Sequence, residues 1–313
     1  MTDAGGRPPR RPDLFVVGAP KCGTTTLYHQ LASHPDVFMS RPKEPSYFAA
    51  ERYPNWRLDY PDDEARYLQL FNGARGEKRV GEATTSYLES PVAAERIKAF
   101  QPDAFIVAVL RDPVAMIDSL HGMRVAQGHE PFADLGQALD DERRRPGFGT
   151  LGDQSAVHYR DRARFGAMLP RWFDAFGRER VHVMLLEEVV ADPPGTFRRL
   201  LEFLQVDPNF EPDFQRRYNT AYRRRSQRLG GAVKGLPRLG MPGSLGYRLT
   251  SPIFKVFKRA NRARATRPQV DPAVREMLER ELADDVARAG ELLGRDLAAV
   301  WWKGQPAAPT PAR

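Results

Sequence analysis

Leu14-Phe15-Val16-Val17 and Phe105-Ile106-Val107-Ala108-Val109-Leu110 are unbroken apolar runs with no polar residue alternating through them. Short runs of this kind, rich in β-branched side chains, predict strands buried on both faces, at 14–18 and 105–110. Residues 79–82 and 181–186 predict two further strands. Between the strands the apolar spacing lengthens to a helical repeat, near 24–33, 91–99, 193–205 and 272–294. The punctuation agrees: Asp112-Pro113 and Asp192-Pro193 put Asp at the N-cap and Pro at the first helical position, and Gly294 closes the last helix. Strands alternating with helices predict an α/β fold, a parallel sheet flanked by helices on both faces.

The expected organisation is one domain over 13–303 with disordered tails at 1–12 and 304–313, both rich in Pro, Ala, Gly and Arg. Apolar residues make up 41% of the 313, enough for a sizeable core. One cysteine, Cys22, excludes an intrachain disulfide and a Cys-built zinc site, and six scattered histidines contain no HExxH pair. No metal site is expected. There is no run of 18 apolar residues, and the N-terminus lacks the apolar stretch of a signal peptide, so a cytoplasmic protein is the expectation.

Charge changes the picture in one place. The chain carries 48 Lys and Arg against 40 Asp and Glu. Residues 215–268 hold 15 of the basic residues and no acid, so the rest of the chain is net acidic. Such a segment is either a solvated basic surface or a lid or groove facing an anionic ligand.

Two segments carry candidate chemistry. In Gly18-Ala19-Pro20-Lys21-Cys22-Gly23-Thr24-Thr25-Thr26 a strand runs into a glycine loop and then a helix. A helix N-terminus offers unpaired amides and the positive end of a dipole, Gly23 allows close approach, the threonines add donors and Lys21 adds a charge: a site for a phosphate-like anion. The spacing is not GxxxxGK[ST], because Lys21 precedes Gly23. Cys22 reads as a small filler, with no base beside it. The second segment is Leu110-Arg111-Asp112-Pro113 with Ser119 two turns into the following helix. Ligands of α/β sheets bind at the carboxyl ends of strands, so Arg111 and Ser119 are candidates for a second anion. The competing reading pairs Arg111 with Asp112 and leaves Ser119 exposed.

These two segments together resemble the sulfotransferases that use 3′-phosphoadenosine 5′-phosphosulfate (PAPS), most of all the heparan-sulfate-type, glycan branch and its bacterial relatives. His34-Pro35-Asp36-Val37, Lys43-Glu44-Pro45-Ser46-Tyr47-Phe48, Gly81-Glu82-Ala83-Thr84-Thr85-Ser86-Tyr87-Leu88 and the stretch from Arg267 to Trp301 add to the likeness, which covers about 13–302. The resemblance implies a P-loop-like fold and sulfuryl transfer, without a metal, to a hydroxyl or amine of a glycan, lipid or hydroxylated metabolite. PAPS would be the donor and adenosine 3′,5′-bisphosphate (PAP) the product. It implies that residues 21–26 hold the 5′-phosphosulfate and that Arg111 and Ser119 hold the 3′-phosphate. Glu44 would be the base and Lys21 would offset charge on the leaving oxygen. Pro45 predicts an extended backbone at Glu44. The competing reading of Glu44 is a surface residue beside Lys43.

The chain departs from the family pattern at Ala83, where the family has Lys, and at its last cofactor loop. That loop survives only as basic residues, with Arg262, Arg264 and Arg267 assigned to the 3′-phosphate or adenine. Segment 234–258 reads as an acceptor lid, a polyanion groove or a membrane-surface helix. Trp56, Tyr60, Tyr87, His121 and Tyr159 either line the acceptor cleft or belong to the core. Two other functions compete. A P-loop nucleotide kinase is opposed by the position of Lys21 and the lack of a clear Walker B acid. A non-enzymatic binder of nucleic acid or polyanion through 215–268 leaves both anion segments without a purpose, so no nucleic-acid partner is expected.

Overall fold

The computed structural model describes residues 10–52, 61, 63–145, 158–216, 222–224, 262–264 and 270–302, with backbone alone at 50–52, 222–224 and 262–264. The elements run β1 (Leu14–Gly18), α1 (Thr24–Leu31), β2 (Val37–Met39), a 3-10 segment at Tyr47–Arg52, α2 (Glu64–Leu68), β3 (Arg79–Ala83), α3 (Ala93–Phe100) and β4 (Phe105–Leu110). There follow α4 (Pro113–Gln127), α5 (Leu135–Glu142), α6 (Tyr159–Arg162), α7 (Phe165–Phe176), β5 (Val181–Leu185), α8 (Leu186–Ala191) and α9 (Pro193–Phe203). The last are β6 (Tyr222–Arg224), β7 (Arg262–Arg264), α10 (Pro272–Leu293) and α11 (Leu297–Trp301).

The main sheet has the order β2-β3-β1-β4-β5, and every neighbouring pair is parallel. Parallel neighbours need crossovers over the faces of the sheet, which is why helices flank it on both sides. All residues of β1 and β4 are buried, so the two unbroken apolar runs form the centre of the molecule. The strand and helix positions read from the sequence agree with the structure to within about two residues.

Strand order also locates a ligand crevice. The chain leaves β1 toward β2 on one side and leaves β4 toward β5 on the other. The gap between the carboxyl ends of adjacent β1 and β4 is thus a topological switch point, the place where open α/β sheets bind ligands. What lies along this edge of the sheet follows from the order. β3, β1 and β4 lie side by side, and their carboxyl ends lead to Ala83, to the glycine loop and to Arg111.

Helix α7 is an element that the hydrophobic pattern did not isolate. Pro170 sits inside it, and Arg164 supplies no side-chain cap. The cap comes instead from α10: the Asp285 carboxylate accepts the N–H groups of Gly166 at 2.8 Å and Ala167 at 2.9 Å. Gly166 allows this contact, since a Cβ there would lie 2.3 Å from the Asp285 carbonyl oxygen.

Candidate active site

β1 and β4 carry the loop of Lys21 and the segment of Arg111 to the same edge. The Ala19 N–H bonds the Val109 carbonyl at 2.8 Å, which sets the start of the loop two residues from Arg111. Lys21 and Gly23 both take positive φ, 65° and 91°. Gly23 opens α1, with its carbonyl accepting from Thr26 and Leu27. No side chain caps α1 and no acid occupies its first turn, so its positive end faces the crevice uncompensated by a local carboxylate. Thr24 is buried, whereas Thr25 and Thr26 are half-buried. The Lys21 ammonium lies 3.7 Å from Met123 Sδ on α4. Cys22 is fully buried, and desolvation pushes its thiol up, against the opposing charge of Arg111. That environment keeps it protonated and inert.

Asp112 does not take Arg111 as its partner. Its carboxylate accepts the Val114 N–H at 3.0 Å, capping α4, and pairs with Arg275 of α10 at 3.0 Å. Trp302 Nε1 donates to the same carboxylate at 3.4 Å. Glu187 completes the clamp, accepting the Asp112 N–H at 3.0 Å and Trp301 Nε1 at 3.2 Å. Among the described residues no hydrogen bond or ion pair engages the Arg111 guanidinium. Ser119 is buried on α4. Both parts of the competing reading, an Arg111–Asp112 pair and an exposed Ser119, are therefore at odds with the structure.

Glu44 stands on the other side of the loop. Its N–H bonds the carbonyl of Ala83, the last residue of β3, at 3.0 Å. Its Oε1 pairs with Lys43 Nζ at 2.7 Å and accepts from Thr85 Oγ1 at 3.4 Å. Thr85 in turn lies against the root of the glycine loop: a Cβ at Gly18 would sit 3.2 Å from the Thr85 carbonyl and 2.6 Å from Leu88 Cβ. The extended backbone expected before Pro45 does not occur. Glu44 has φ 65° and Ser46 φ 56°. The reason is tertiary: the Glu44 N–H is drawn to Ala83 and the Ser46 N–H to Thr84 Oγ1 at 3.3 Å, and the chain must turn to meet both. Left-handed non-glycine residues persist only where surrounding contacts over-determine them.

Beneath Glu44 lies a second carboxylate. Glu82 is fully buried in β3 and accepts from Tyr67 Oη at 2.7 Å, Thr84 Oγ1 at 2.6 Å and Tyr87 Oη at 2.8 Å. Burial pushes its carboxyl up to about 7, against the pull of these three donors.

Other sequence candidates fall elsewhere. Tyr87, Tyr159 and His121 are core residues, bonded to Glu82, Glu130 and the Phe132 carbonyl respectively. Buried aromatic polar groups need partners, and each has found one inside. Trp56, Tyr60, Arg267 and segment 234–258 lie outside the described residues. Arg262 and Arg264 belong to β7, which pairs antiparallel with β6 in the register Arg262 with Arg224 and Arg264 with Tyr222. This ribbon joins the two ends of the acid-free segment, and β6 rests against α4, the helix of Ser119. Arg275, Glu187 and Met123 were not legible beforehand, because no local pattern links them to the two anion segments. Among the described residues no group of three His, Cys, Asp or Glu side chains is placed to hold a metal ion.

The model of the family described as Sulfotransferase family matches residues 12–86 and 56–212. The chain is similar to carbohydrate sulfotransferase 15 of Mus musculus, 25% identical over 257 residues, covering 63% of this chain and 44% of that protein. It is similar to heparan sulfate glucosamine 3-O-sulfotransferase 6 of Homo sapiens, 28% identical over 204 residues, covering 62% of this chain and 52% of that protein. The chain thus spans about half the length of the curated relatives it matches. Among solved structures it is similar to a sulfotransferase from Alicyclobacillus acidocaldarius, with TM-score 0.69 and 29% identity over 93% of this chain and 98% of that one.

Proposed function

The chain belongs to the sulfotransferase family, and from that premise we propose that it transfers a sulfuryl group from PAPS to a hydroxyl, or an amine, of a carbohydrate or similar small acceptor. The observation that carries this reading is the order β3-β1-β4. It sets Glu44, Lys21 and Arg111 in a row along one edge: a carboxylate, a lysine on a glycine loop, and an arginine whose neighbouring acid is already paired.

The residues fit an anionic donor nucleotide. The uncapped N-terminus of α1, Lys21, Thr25 and Thr26 would hold the 5′-phosphosulfate, and Arg111 with Ser119 the 3′-phosphate. When bound, PAPS supplies the sulfuryl group. Glu44 takes the proton of the acceptor hydroxyl as its oxygen bonds to sulfur. The bond from sulfur to the bridging phosphate oxygen breaks, and Lys21 offsets the charge that grows on that oxygen. The C-terminal end of the basic segment would close over the nucleotide, with Arg262 and Arg264 of β7, and Arg267 beyond it in the sequence, as contacts to the 3′-phosphate or adenine.

The test is a thermal shift with PAP in metal-free buffer, followed by a labelled-sulfate acceptor screen over glycans, lipids and phenols. PAP should raise the melting temperature by mass action. No shift at millimolar PAP would refute the reading, and magnesium-dependent ATP binding in its place would favour a kinase.

A further inference from the structure

We propose that Glu82 is a positioning residue for Glu44, acting through the hydroxyls of Thr84 and Tyr87 on the backbone of the segment that carries Glu44. This rests on reading Glu44 as the base.

A fully buried carboxylate is expensive, and nothing in the sulfuryl-transfer chemistry touches it. Its partners account for it. A hydroxyl has one proton, so when that proton is given to a carboxylate the oxygen can only accept. Thr84 Oγ1 donates to Glu82 at 2.6 Å and accepts the Ser46 N–H at 3.3 Å. Tyr87 Oη donates to Glu82 at 2.8 Å and accepts the Phe48 N–H at 3.4 Å. In its ionised form, which prevails above about pH 7, Glu82 sets the direction of both hydroxyls and strengthens them as acceptors. Tyr67 donates to Glu82 from the remaining side and stacks on Tyr47, with ring centroids 4.5 Å apart and planes 13° apart.

Residues 44, 46, 47 and 48 are therefore each held: Glu44 by the Ala83 carbonyl, Ser46 by Thr84, Tyr47 by Tyr67 and Phe48 by Tyr87. Three of the four holds depend on Glu82. Two of the held residues, Glu44 and Ser46, are those with left-handed backbone, so the device offsets strain at the point where a side chain must be aimed.

The test uses Thr84→Val and Tyr87→Phe, each removing one hydroxyl, beside Glu82→Gln. Amide hydrogen exchange should quicken roughly five- to tenfold at Ser46 in the first and at Phe48 in the second, for the loss of one net hydrogen bond. Exchange in β1 and β4 should not change. Turnover should fall in both while PAP affinity stays within about twofold, and neither change should lower turnover further in a Glu44→Gln background. Glu82→Gln should combine both effects, and the single-hydroxyl variants keep the test valid if that protein does not fold. Unchanged exchange at Ser46 and Phe48, or equal losses of turnover with and without Glu44, would overturn the proposal. Faster exchange at Ser46 and Phe48 combined with normal turnover in Glu44→Gln would uphold the anchoring and remove Glu44 as the base instead.

Discussion

The carboxylate of Asp112 is paired with Arg275, 163 residues along the chain, at 3.0 Å, rather than with its neighbour Arg111. Asp112 is almost fully buried and also caps α4, so its second oxygen must be satisfied by something. Arg275 satisfies it from α10. The arginine next to Asp112 in sequence is thereby not engaged by that carboxylate.

This relationship predicts a long-range effect on binding. Arg275→Met should leave Asp112 in want of a cation, which Arg111, its neighbour in the chain, can supply by turning toward it. PAP affinity should fall at least about tenfold, the scale of one hydrogen bond to a charged group. Calorimetric titration of the variant checks this. Affinity within twofold of wild type would mean that Arg111 keeps its place without Arg275.

Direct removal of the same site should look different. Arg111→Ala and Ser119→Ala should both weaken PAP, by about tenfold or more for the arginine. Adenosine 5′-phosphate, which lacks the 3′-phosphate, should bind wild type poorly and be indifferent to both changes. Equal affinity of wild type for the two nucleotides would remove Arg111 and Ser119 from the 3′-phosphate.

Glu44 and Lys21 should separate turnover from binding. Glu44→Gln keeps the shape and removes the base, a loss of about 10²- to 10⁴-fold in turnover with PAP affinity nearly unchanged. Lys21→Ala should reduce both, because its charge meets the nucleotide in the ground state and more strongly in the transition state. Turnover measured beside calorimetric affinity distinguishes them.

Glu82 should be visible in the pH dependence of stability. Its carboxyl is raised from 4.5 to about 7 by burial. In that interval the folded state binds the proton more tightly than the unfolded chain does. Its contribution to stability is therefore complete below about pH 4.5 and is lost as pH rises through about 7. Wild type should lose melting temperature relative to Glu82→Gln between pH 5 and pH 8. A difference that stays constant over this range would show that Glu82 is already ionised in the fold at pH 5.

Much of the architecture was set by neighbours within a few residues, and so was readable directly. Unbroken apolar runs place β1 and β4, Asp-Pro pairs open α4 and α9, and a glycine at positive φ opens α1. These depend on backbone sterics and side-chain burial, which act locally. Helix α7 was not readable, because its cap, Asp285, is supplied by α10. Nor was the backbone of Glu44, where two distant acceptors outweigh the local preference imposed by Pro45. The choice of Arg275 over Arg111 as the partner of Asp112, and the burial of Glu82 beneath Glu44, were likewise decided only in three dimensions. The strength of a charge pair or a buried hydrogen bond is set by distance and exclusion of water. Separation along the chain specifies neither, and the packing of α10 and of segment 44–48 against the strand ends specifies both.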